Sequence, residues 1–522
     1  MLGYYSPIYA IVNAVWCIFF TEYWKHQETD LAIRWGVQNV SRIEHKRKEF
    51  RAQKEITDPV TGEKVAFFSA TDRFYRQLLQ VPFAIAVALI LGSLIATCFG
   101  IEIFITEIYN GPLKWILVFL PTGILTTVLP ILVNMMHTFA SQLNEFENYE
   151  TQSSYDSALT QKIFVVNFIT SYLPVFLTAF VYVPFATVIV PYLDVFSLTV
   201  RPFAEHEGQL KTPEAGHFEI NPARLRKQVI YFTVTAQVVG AVTELIVPYV
   251  KRKAFAKVKE IQSERALKKG GAAPDPSEYD APEEAAFLQR VRNEVELDVY
   301  DVTVDLREMV LQFGYLSLFS VVWPLTGVSF LINNWFELRA DAMKICSEMQ
   351  RPTPFRAESI GPWLESLVFL TWLGSITEAV MCYMFSNDGI GPDGSPKGIA
   401  AWALLLTIIL SEHVFFAVRW AIRVGISKLD SPGRQKEKKE RYDLRQKYFE
   451  DSLNEIDKIP RPSVDVDISR QSLEENQRDL GLKTATVEDK FWQGQRDWTE
   501  TAKVGAKMIE RAAPDDDEKK TQ

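Results

Sequence analysis

The sequence has little of what a disulfide framework, a zinc site or a common enzyme class requires. Its 522 residues include four cysteines, which are far apart and form no CxxC pair, so neither a zinc site nor a disulfide framework is expected. We find no nucleophile elbow, P-loop or HExxH motif, which disfavours an enzyme. The first hydrophobic run has no basic region and no small-residue cleavage site, and we therefore interpret it as a retained helix.

Charged residues make up 23% of the chain and its net charge is −9, yet three long runs contain no charge at all. These runs cover 77–101, 115–144 and 163–193 and are 25, 30 and 31 residues long. About 20 helical residues cross the roughly 30 Å hydrocarbon core of a bilayer, so each run can span a membrane. Six more runs are predicted to do so: 1–20, 228–250, 303–322, 326–348, 361–386 and 398–418. The sequence thus predicts an all-α, polytopic membrane protein with nine crossings.

Basic residues predict which connections face the cytosol. The segments 21–76 and 251–302, which we interpret as loops, carry eleven and ten Lys and Arg residues, and cytosolic loops are enriched in these residues. Alternation then places the chain after Val418 in the cytosol as well. Nine crossings with a cytosolic C-terminus put Met1 on the outer side, and we therefore expect at least one further helix upstream.

Two regions follow from this topology. Residues 1–424 form the predicted transmembrane domain, and 425–522 form a charged cytosolic tail. Within the tail, the segment 436–456 has charged residues spaced four apart, a pattern typical of exposed helices. Two interpretations of the tail remain open: a solvated helical segment, or one that contacts a second subunit.

Carboxylates inside the predicted spans are the most informative residues, because ionisable groups at membrane depth are costly and usually functional. Glu244 lies near the cytosolic end of its span. Asp305 and Glu308 are three residues apart, and Glu337 and Asp341 are four apart, so each pair shares one face of a helix. We expect all five to reach a similar depth, just inside the cytosolic boundary.

Five carboxylates at one depth repel one another strongly in a low dielectric, so protons or cations must accompany them. Ligation by oxygen alone points to a hard ion. Two calcium ions that share carboxylates fit better than magnesium, which requires a tight octahedron. Two alternatives remain open: pairing of the acids with Arg307, Arg339 or Lys344, and a proton relay.

Two sequence blocks around these acids resemble the anoctamin family. The first is DLREMVLQFGY at 305–315, and the second runs from Pro324-Leu325 to LINNWFELRADA at 331–342. Further blocks agree with the family: EYWK at 22–25, LAIRW at 31–35 and SEHVFF at 411–416. The resemblance extends over nearly the whole chain, and the sequence is most like a fungal-type scramblase of this family. The N-terminal cytosolic domain and the first helix of the family are missing.

The resemblance implies a ten-helix homodimer in which each subunit binds two calcium ions that activate ion conduction, lipid scrambling or both. The implied ligands are Glu244, Asp305, Glu308, Glu337 and Asp341. Gly240 stands where the family commonly has an asparagine ligand, and Gln237 on the same helix face is a candidate replacement. For a third ion between the second and tenth helices, Glu22 and Asp430 are weaker candidates.

Polar residues within the spans also predict a path for lipid headgroups. The candidate groove residues are Thr122, Thr126, Tyr231 and Thr233 within the spans and Glu102, Glu107 and Arg224 near the outer mouth. The family supports a polar groove open to the membrane, along which a headgroup slides while its tails stay in hydrocarbon. The alternatives are hydrogen bonds between packed helices and, for the charged residues, ordinary exposure on loops.

From these observations we predict a non-enzymatic, calcium-activated phospholipid scramblase with accompanying nonselective ion conduction. We expect a multi-pass protein of the plasma membrane or endoplasmic reticulum, with phospholipids, inorganic ions and a second copy of the chain as partners and no nucleic acid. The alternative is a calcium-activated anion channel, which should show basic residues along its pore, whereas the three uncharged runs have none. A non-transporting membrane tether is a third hypothesis; the five acids and the acidic end 515–518 disfavour it.

Overall fold

The computed structural model describes the following residues: 5–42, 44–57, 62, 64–109, 113–185, 223–243, 246, 250, 253–254, 257–258, 261, 280–350, 352, 354–385 and 400–458. Glu244 lies outside these residues, as does the side chain of Glu107, so what the sequence predicts for them stays a prediction. The chain divides into two units, Met1–Glu440 and Arg441–Gln522. Both acidic pairs lie in the first unit.

The described chain is mainly helical. Its α-helices are α1 (Pro7–Arg34), α2 (Ala70–Gln77), α3 (Gln80–Ile103), α4 (Lys114–Leu117), α5 (Leu120–Glu147), α6 (Gln152–Phe176), α7 (Ala223–Ile230), α8 (Ala285–Val295), α9 (Val302–Phe319), α10 (Thr326–Met343), α11 (Pro362–Phe385), α12 (Ala401–Ser427) and α13 (Pro432–Lys458). Turns of π-helix follow α3 (Phe104–Ile108), α6 (Leu177–Tyr182), α7 (Tyr231–Thr235) and α10 (Lys344–Glu348). After the turn that follows α7, the chain is α-helical again from 236 to 243.

Within the described ranges, five helical segments are long and apolar enough to cross a membrane: Ala70–Thr106, Lys114–Glu147, Gln152–Phe185, Pro362–Phe385 and Ala401–Ser427. Each overlaps one of the runs that the sequence predicts to span the bilayer. They confirm an integral membrane protein built from helices. The helices that carry the acidic pairs, α9 and α10, are 18 residues long each, and the full count of nine crossings stays a prediction.

Helix α1 is longer than predicted. It continues to Arg34, whereas the sequence indicated a loop from position 21 onward. Two buried acids on this extension bond to distant residues: Glu22 accepts from Arg419 of α12 at 2.8 Å, and Asp30 accepts from the backbone N–H of Gly433 in α13 at 2.6 Å. The loop prediction was wrong because polar contacts between residues far apart in sequence leave no apolar periodicity that could reveal them.

Two short sheets were also not predicted. Strands β1 (Lys54–Thr57) and β2 (Lys64–Phe67) form an antiparallel hairpin. Strands β3 (Asp298–Val299) and β4 (Met349–Gln350) pair in parallel, one just before α9 and the other just after the turn that follows α10. Strands of two to four residues are too short to show the alternation by which a strand is recognised in a sequence.

The main hydrophobic core surrounds α9. Leu318 and Phe319 of α9 pack in one cluster with Tyr172 of α6 and Leu370 of α11, and all four are fully buried. Because neighbouring helices enclose the C-terminal end of α9, this helix holds the acids at its N-terminal end in a fixed position.

Helix α9 also lies very close to α11. A side chain at Gly374 of α11 would clash with the backbone carbonyl of Ser317, so this crossing requires glycine. Helix α9 is also bonded to α6, because the hydroxyl of Tyr172 donates to the carbonyl of Leu311 at 2.9 Å. The helix is therefore in close contact with both α11 and α6.

Candidate functional site

The first acidic pair lies at the start of α9. Asp301 caps this helix by accepting a hydrogen bond from the backbone N–H of Thr303 at 2.9 Å. Asp305 lies in the first turn, where the helix dipole favours a carboxylate. Glu308 and Gln312 follow one and two turns later, so the three side chains form one polar stripe.

The second acidic pair lies at the end of α10, and the β3–β4 pairing brings it to the start of α9. Asp298 of β3 pairs with Met349 of β4, and the side chain of Gln350 donates to the carbonyl of Leu297 at 2.8 Å. Since β3 leads into α9 and β4 follows α10, these contacts hold the two helix ends that bear the acids side by side. The six-residue connection between α9 and α10 requires the two helices to run in opposite directions.

Lys344 joins the two acidic pairs. Its Nζ atom lies 2.9 Å from Oδ1 of Asp305 and 3.0 Å from Oδ1 of Asp341, and its side chain is only 7% exposed. A charge so far removed from water requires compensation by opposite charge. Of the bases that the sequence offered as partners for the acids, Lys344 is paired with two of them, and the guanidinium of Arg339 lies 3.7 Å from the ring centre of Trp335.

The second oxygen of Asp305 is also bonded. Tyr300, which precedes α9, donates its hydroxyl to Oδ2 of Asp305 at 2.6 Å. Burial, together with this neighbouring carboxylate, raises the pKa of Tyr300 above its ordinary value. Tyr300 therefore stays a neutral donor at physiological pH and fixes the orientation of the Asp305 carboxylate.

Side-chain amides contact the other two acids. Nε2 of Gln312 lies 3.4 Å from Oε1 of Glu308 and 3.1 Å from Oε1 of Gln237, in the helical stretch after α7. Glu337 is buried, and its Oε2 accepts from Asn333 at 3.3 Å. Gln312 thus connects a predicted ligand, Glu308, with the candidate replacement ligand Gln237. The sequence analysis missed Gln312, although its spacing from Asp305 and Glu308 would have placed it on the same helix face.

Among the described residues, no group of three or more His, Cys, Asp and Glu side chains is arranged to hold a metal ion. Glu244 is not among them, so the predicted set of five carboxylates is untested. The described side chains nevertheless fit a hard cation, because their donor atoms are carboxylate and amide oxygens. The ammonium group of Lys344 occupies the position between Asp305 and Asp341. Oε1 of Gln312 is buried without a hydrogen-bond partner in the described chain.

Gly240, where the family pattern commonly has asparagine, has open space around it. A Cβ atom built at this position meets no other atom of the described residues within 4 Å. Among the described residues, no neighbouring side chain therefore fills the place of the asparagine that the resemblance implies. Gln237, one turn earlier, is the nearest described amide on this stretch.

The two candidate ligands for a third ion both lie beside basic side chains. Oε1 of Glu22 is 2.8 Å from Nε of Arg419, and its Oε2 is 3.8 Å from Nε of Arg423. Oδ1 of Asp430 is 2.7 Å from Nζ of Lys438, and this hydrogen bond and charge hold the pKa of Asp430 below its usual value. The structure shows ion pairs at both carboxylates, and a third calcium ion stays a prediction.

At the predicted outer mouth, two of the three charged candidates are in contact. Arg224 of α7 lies 2.6 Å from Oε1 of Glu102 at the end of α3. The guanidinium also lies over the rings of Tyr182, 5.1 Å away, and Phe99, 5.4 Å away. Arg224 therefore ties α7 to the ends of α3 and of the turn after α6, so neither charge is a plain loop charge.

The other groove candidates divide between exposed and buried positions. Thr122 and Thr126 of α5 are exposed, and the hydroxyl of Thr126 donates to the carbonyl of Thr122 at 2.7 Å. Tyr231 is 50% exposed. Thr233 is buried, and its hydroxyl is bonded to the carbonyl of Val229 in the preceding turn at 2.8 Å. For Thr233, the structure shows a satisfied group between packed helices.

The structure also reveals two buried polar clusters that the sequence analysis did not single out. Lys162 of α6 lies 2.8 Å from Oε2 of Glu147 of α5, and both are buried. Glu378 of α11 is fully buried and accepts from Asn13 of α1 at 3.0 Å and from Ser320 at 2.8 Å. Glu378 lies inside the predicted span 361–386 and Glu147 just after the uncharged run 115–144, and this position was the available signal.

Comparisons with known proteins agree with the resemblance. A family model described as "Anoctamin: Calcium-activated chloride channel" matches residues 1–441. An uncharacterized protein of Schizosaccharomyces pombe is 31% identical over 433 residues, which cover 81% of this chain and 61% of that protein. Increased sodium tolerance protein 2 of Saccharomyces cerevisiae is 26% identical over 464 residues, covering 79% of this chain and 45% of that protein. Anoctamin-10 of Homo sapiens is 24% identical over 427 residues, covering 80% and 56%.

The chain thus spans about half the length of the curated relatives it matches. The family match includes both acidic pairs, the β3–β4 pairing that brings them together and all five apolar spans. This protein therefore belongs to the anoctamin family.

Proposed function

We propose that this protein is a calcium-activated phospholipid scramblase that moves lipids between leaflets along a polar groove, with accompanying nonselective ion conduction. We further propose nine crossings, a cytosolic C-terminus, a homodimer and a location in the plasma membrane or endoplasmic reticulum. Membership of the family supports activation by calcium and transport of lipids or ions. The choice of lipid as substrate rests on α5, α6 and α7.

The observation that carries this proposal is the arrangement of α5, α6 and α7. Helix α6 contacts both α5 and α7, and in this proposal it lines the groove between them. The exposed hydroxyls of Thr122 and Thr126 lie on α5, and the exposed ring of Tyr231 lies directly after α7. A headgroup cannot cross bare hydrocarbon cheaply. Polar groups along an open groove lower that cost while the lipid tails stay outside.

Four described side chains would hold calcium: Asp305, Glu308, Glu337 and Asp341, with Glu244 as the fifth predicted ligand. When bound, calcium supplies the positive charge that offsets this group of carboxylates. The protein contributes a fixed half of the site on α9 and α10, and a second half on the helical stretch after α7. A ligand that favours one arrangement of these halves shifts the population of the groove between closed and open forms.

A calcium-activated anion channel is the second candidate, because the matching family model is described as a chloride channel. Arg224 of α7, which contacts Glu102 of α3, is a basic residue near the predicted pathway. Against a selective anion pore, the runs 77–101, 115–144 and 163–193 contain no Lys or Arg. We therefore favour lipid as the main substrate.

The test is lipid scrambling by the purified protein in liposomes. A fluorescent headgroup lipid is bleached with dithionite, which reaches only the outer leaflet, in the presence of calcium or of a chelator. We expect bleaching well beyond half with calcium, and loss of this effect in the double variant Asp305→Ala with Glu308→Ala. Glu365→Ala, an exposed acid of α11, is the matched control and should scramble normally.

Bleaching that stops at half under both conditions, in vesicles shown to contain folded protein, would refute the scramblase. Chloride flux measured on the same vesicles would then decide between the channel and a protein that transports nothing.

A further inference from the structure

Lys344 occupies the place where a cation is expected. Its ammonium group lies within 3.0 Å of one oxygen of Asp305 and one of Asp341. These two carboxylates come from different helices, α9 and α10, and both belong to the predicted calcium ligands. The ammonium therefore bridges the two acidic pairs, as a bound metal ion would.

The bridge is built into the local structure. Lys344 is the first residue of the π-helical turn that follows α10, and it lies one turn after Asp341. Short π-helical turns occur frequently at functional sites. The β3–β4 pairing just beyond this turn keeps Asp305 within reach of the lysine. With a side chain 7% exposed, Lys344 supplies a nearly dehydrated positive charge to acids that would otherwise repel one another.

A calcium ion and this ammonium cannot both take the same carboxylate oxygens. Calcium ligates carboxylates at about 2.3–2.6 Å, and two cations at such close range in a low dielectric repel each other strongly. The lysine stem is flexible and its charge is compact, so the ammonium can leave the carboxylates by rotation of its side chain alone.

We propose that Lys344 is a built-in competing cation of the calcium site. In the calcium-free protein it neutralises Asp305 and Asp341 and keeps α9 and α10 together, and it is displaced when calcium binds. Lys344 thereby sets the calcium concentration at which the protein responds. This inference rests on the proposed calcium activation and adds the residue that tunes it.

The first test is equilibrium calcium binding to the full chain in lipid nanodiscs, measured by calorimetry. If the ammonium occupies the carboxylates about nine-tenths of the time, removing it raises the apparent affinity about tenfold. We expect this gain for Lys344→Met, and affinity close to that of the unaltered protein for Lys344→Arg, which keeps the charge. The matched control is Arg339→Met. It removes a positive charge from α10, but this charge lies against the ring of Trp335.

A second measurement uses the unaltered protein and does not depend on the folding of a variant. An amine-acetylating reagent is applied with calcium and with chelator, and the modification of each lysine is read by mass spectrometry. We expect calcium to increase the labelling of Lys344. Lys162, a buried lysine paired with Glu147 away from the site, is the control and should label equally in both conditions.

The outcomes separate this inference from the proposed function. If the unaltered protein and Lys344→Met bind calcium equally well, or the variant binds more weakly, the calcium site stands and the competing role of Lys344 is refuted. Unchanged labelling of Lys344 leads to the same conclusion. If neither protein binds calcium, the proposed activation is wrong and this inference falls with it.

Discussion

We expect Lys162→Met to cause a large loss of stability. Lys162 and Glu147 are paired at 2.8 Å, with side-chain exposures of 2% and 0%. The lysine also donates to Oδ1 of Asn144 at 3.0 Å. Its removal leaves a carboxylate in the interior without the positive charge that offsets it.

The size of the effect follows from what remains around Glu147. Breaking a buried ion pair by removing one partner costs about 3–5 kcal/mol. Two other donors stay in place: the hydroxyl of Tyr149 at 2.7 Å and the amide of Gln80 at 3.1 Å. Because hydrogen bonds to a charged group each contribute about 1.5–3 kcal/mol, we expect a loss near the lower limit, about 3 kcal/mol. The double variant with Glu147→Gln removes both charges and should lose about half as much.

The assay is reversible unfolding of the purified protein in mixed micelles with increasing dodecyl sulfate, from which the free energy of unfolding is obtained. The control is Lys436→Met, because Lys436 and Glu440 form an exposed pair at 3.8 Å. Such exposed helix pairs contribute about 0.3–0.5 kcal/mol. If Lys162→Met costs no more than this control, or if the double variant loses the sum of the two single losses, the reasoning about the buried pair is refuted.

Substitutions at Gly240, Asp30 and Arg224 test single contacts. Gly240→Asn should raise the calcium affinity, because the open space at Gly240 accepts an amide ligand; an unchanged affinity in calorimetry would show that this position does not face the ion. Asp30→Ala should destabilise the start of α13 by about 1 kcal/mol through loss of a helix cap, measured by hydrogen exchange at Gly433. Hydrogen bonds from Ser431 and Gly433 and the charge of Arg34 lower the pKa of Asp30, so the cap should persist at neutral pH and be lost only as the pH falls below about 4; loss near neutrality would contradict this. Arg224→Ala should alter the rate of scrambling, with unchanged calcium binding, because it breaks the 2.6 Å contact with Glu102 at the mouth; a change in calcium affinity would count against that separation.

The apolar part of the fold could be predicted from the sequence because its signal is local. The runs 77–101 and 115–144, and the described part of 163–193, lie in observed apolar helical segments, since the absence of charge over such a length has one main physical cause. The same reasoning placed α9 and α10 to within a few residues. The spacing of Asp305 and Glu308, and of Glu337 and Asp341, correctly gave their shared helix faces.

What the sequence could not provide was the pairing of polar groups far apart along the chain. The extension of α1 depends on Asp30 meeting Gly433, some 400 positions away. The bridge from Lys344 to Asp305 depends on a β3–β4 contact of two residues on each side. Several partners were available in sequence for each of these charges, and only the tertiary arrangement selects among them.

The two halves of the candidate site differ in how firmly they are held, and this difference bears on what calcium can move. Helix α9 is enclosed by the core, crosses α11 at Gly374 without room for a side chain, and is tied to the end of α10 by paired strands. The stretch after α7 follows a π-helical turn, includes Gly240 and exposes Val238 and Val239. When an ion binds between a tightly packed element and a loosely packed one, the loosely packed element moves, because close-packed interiors resist deformation. We therefore expect calcium to act on the groove through the stretch after α7, with Lys344 keeping α9 and α10 in position until the ion arrives.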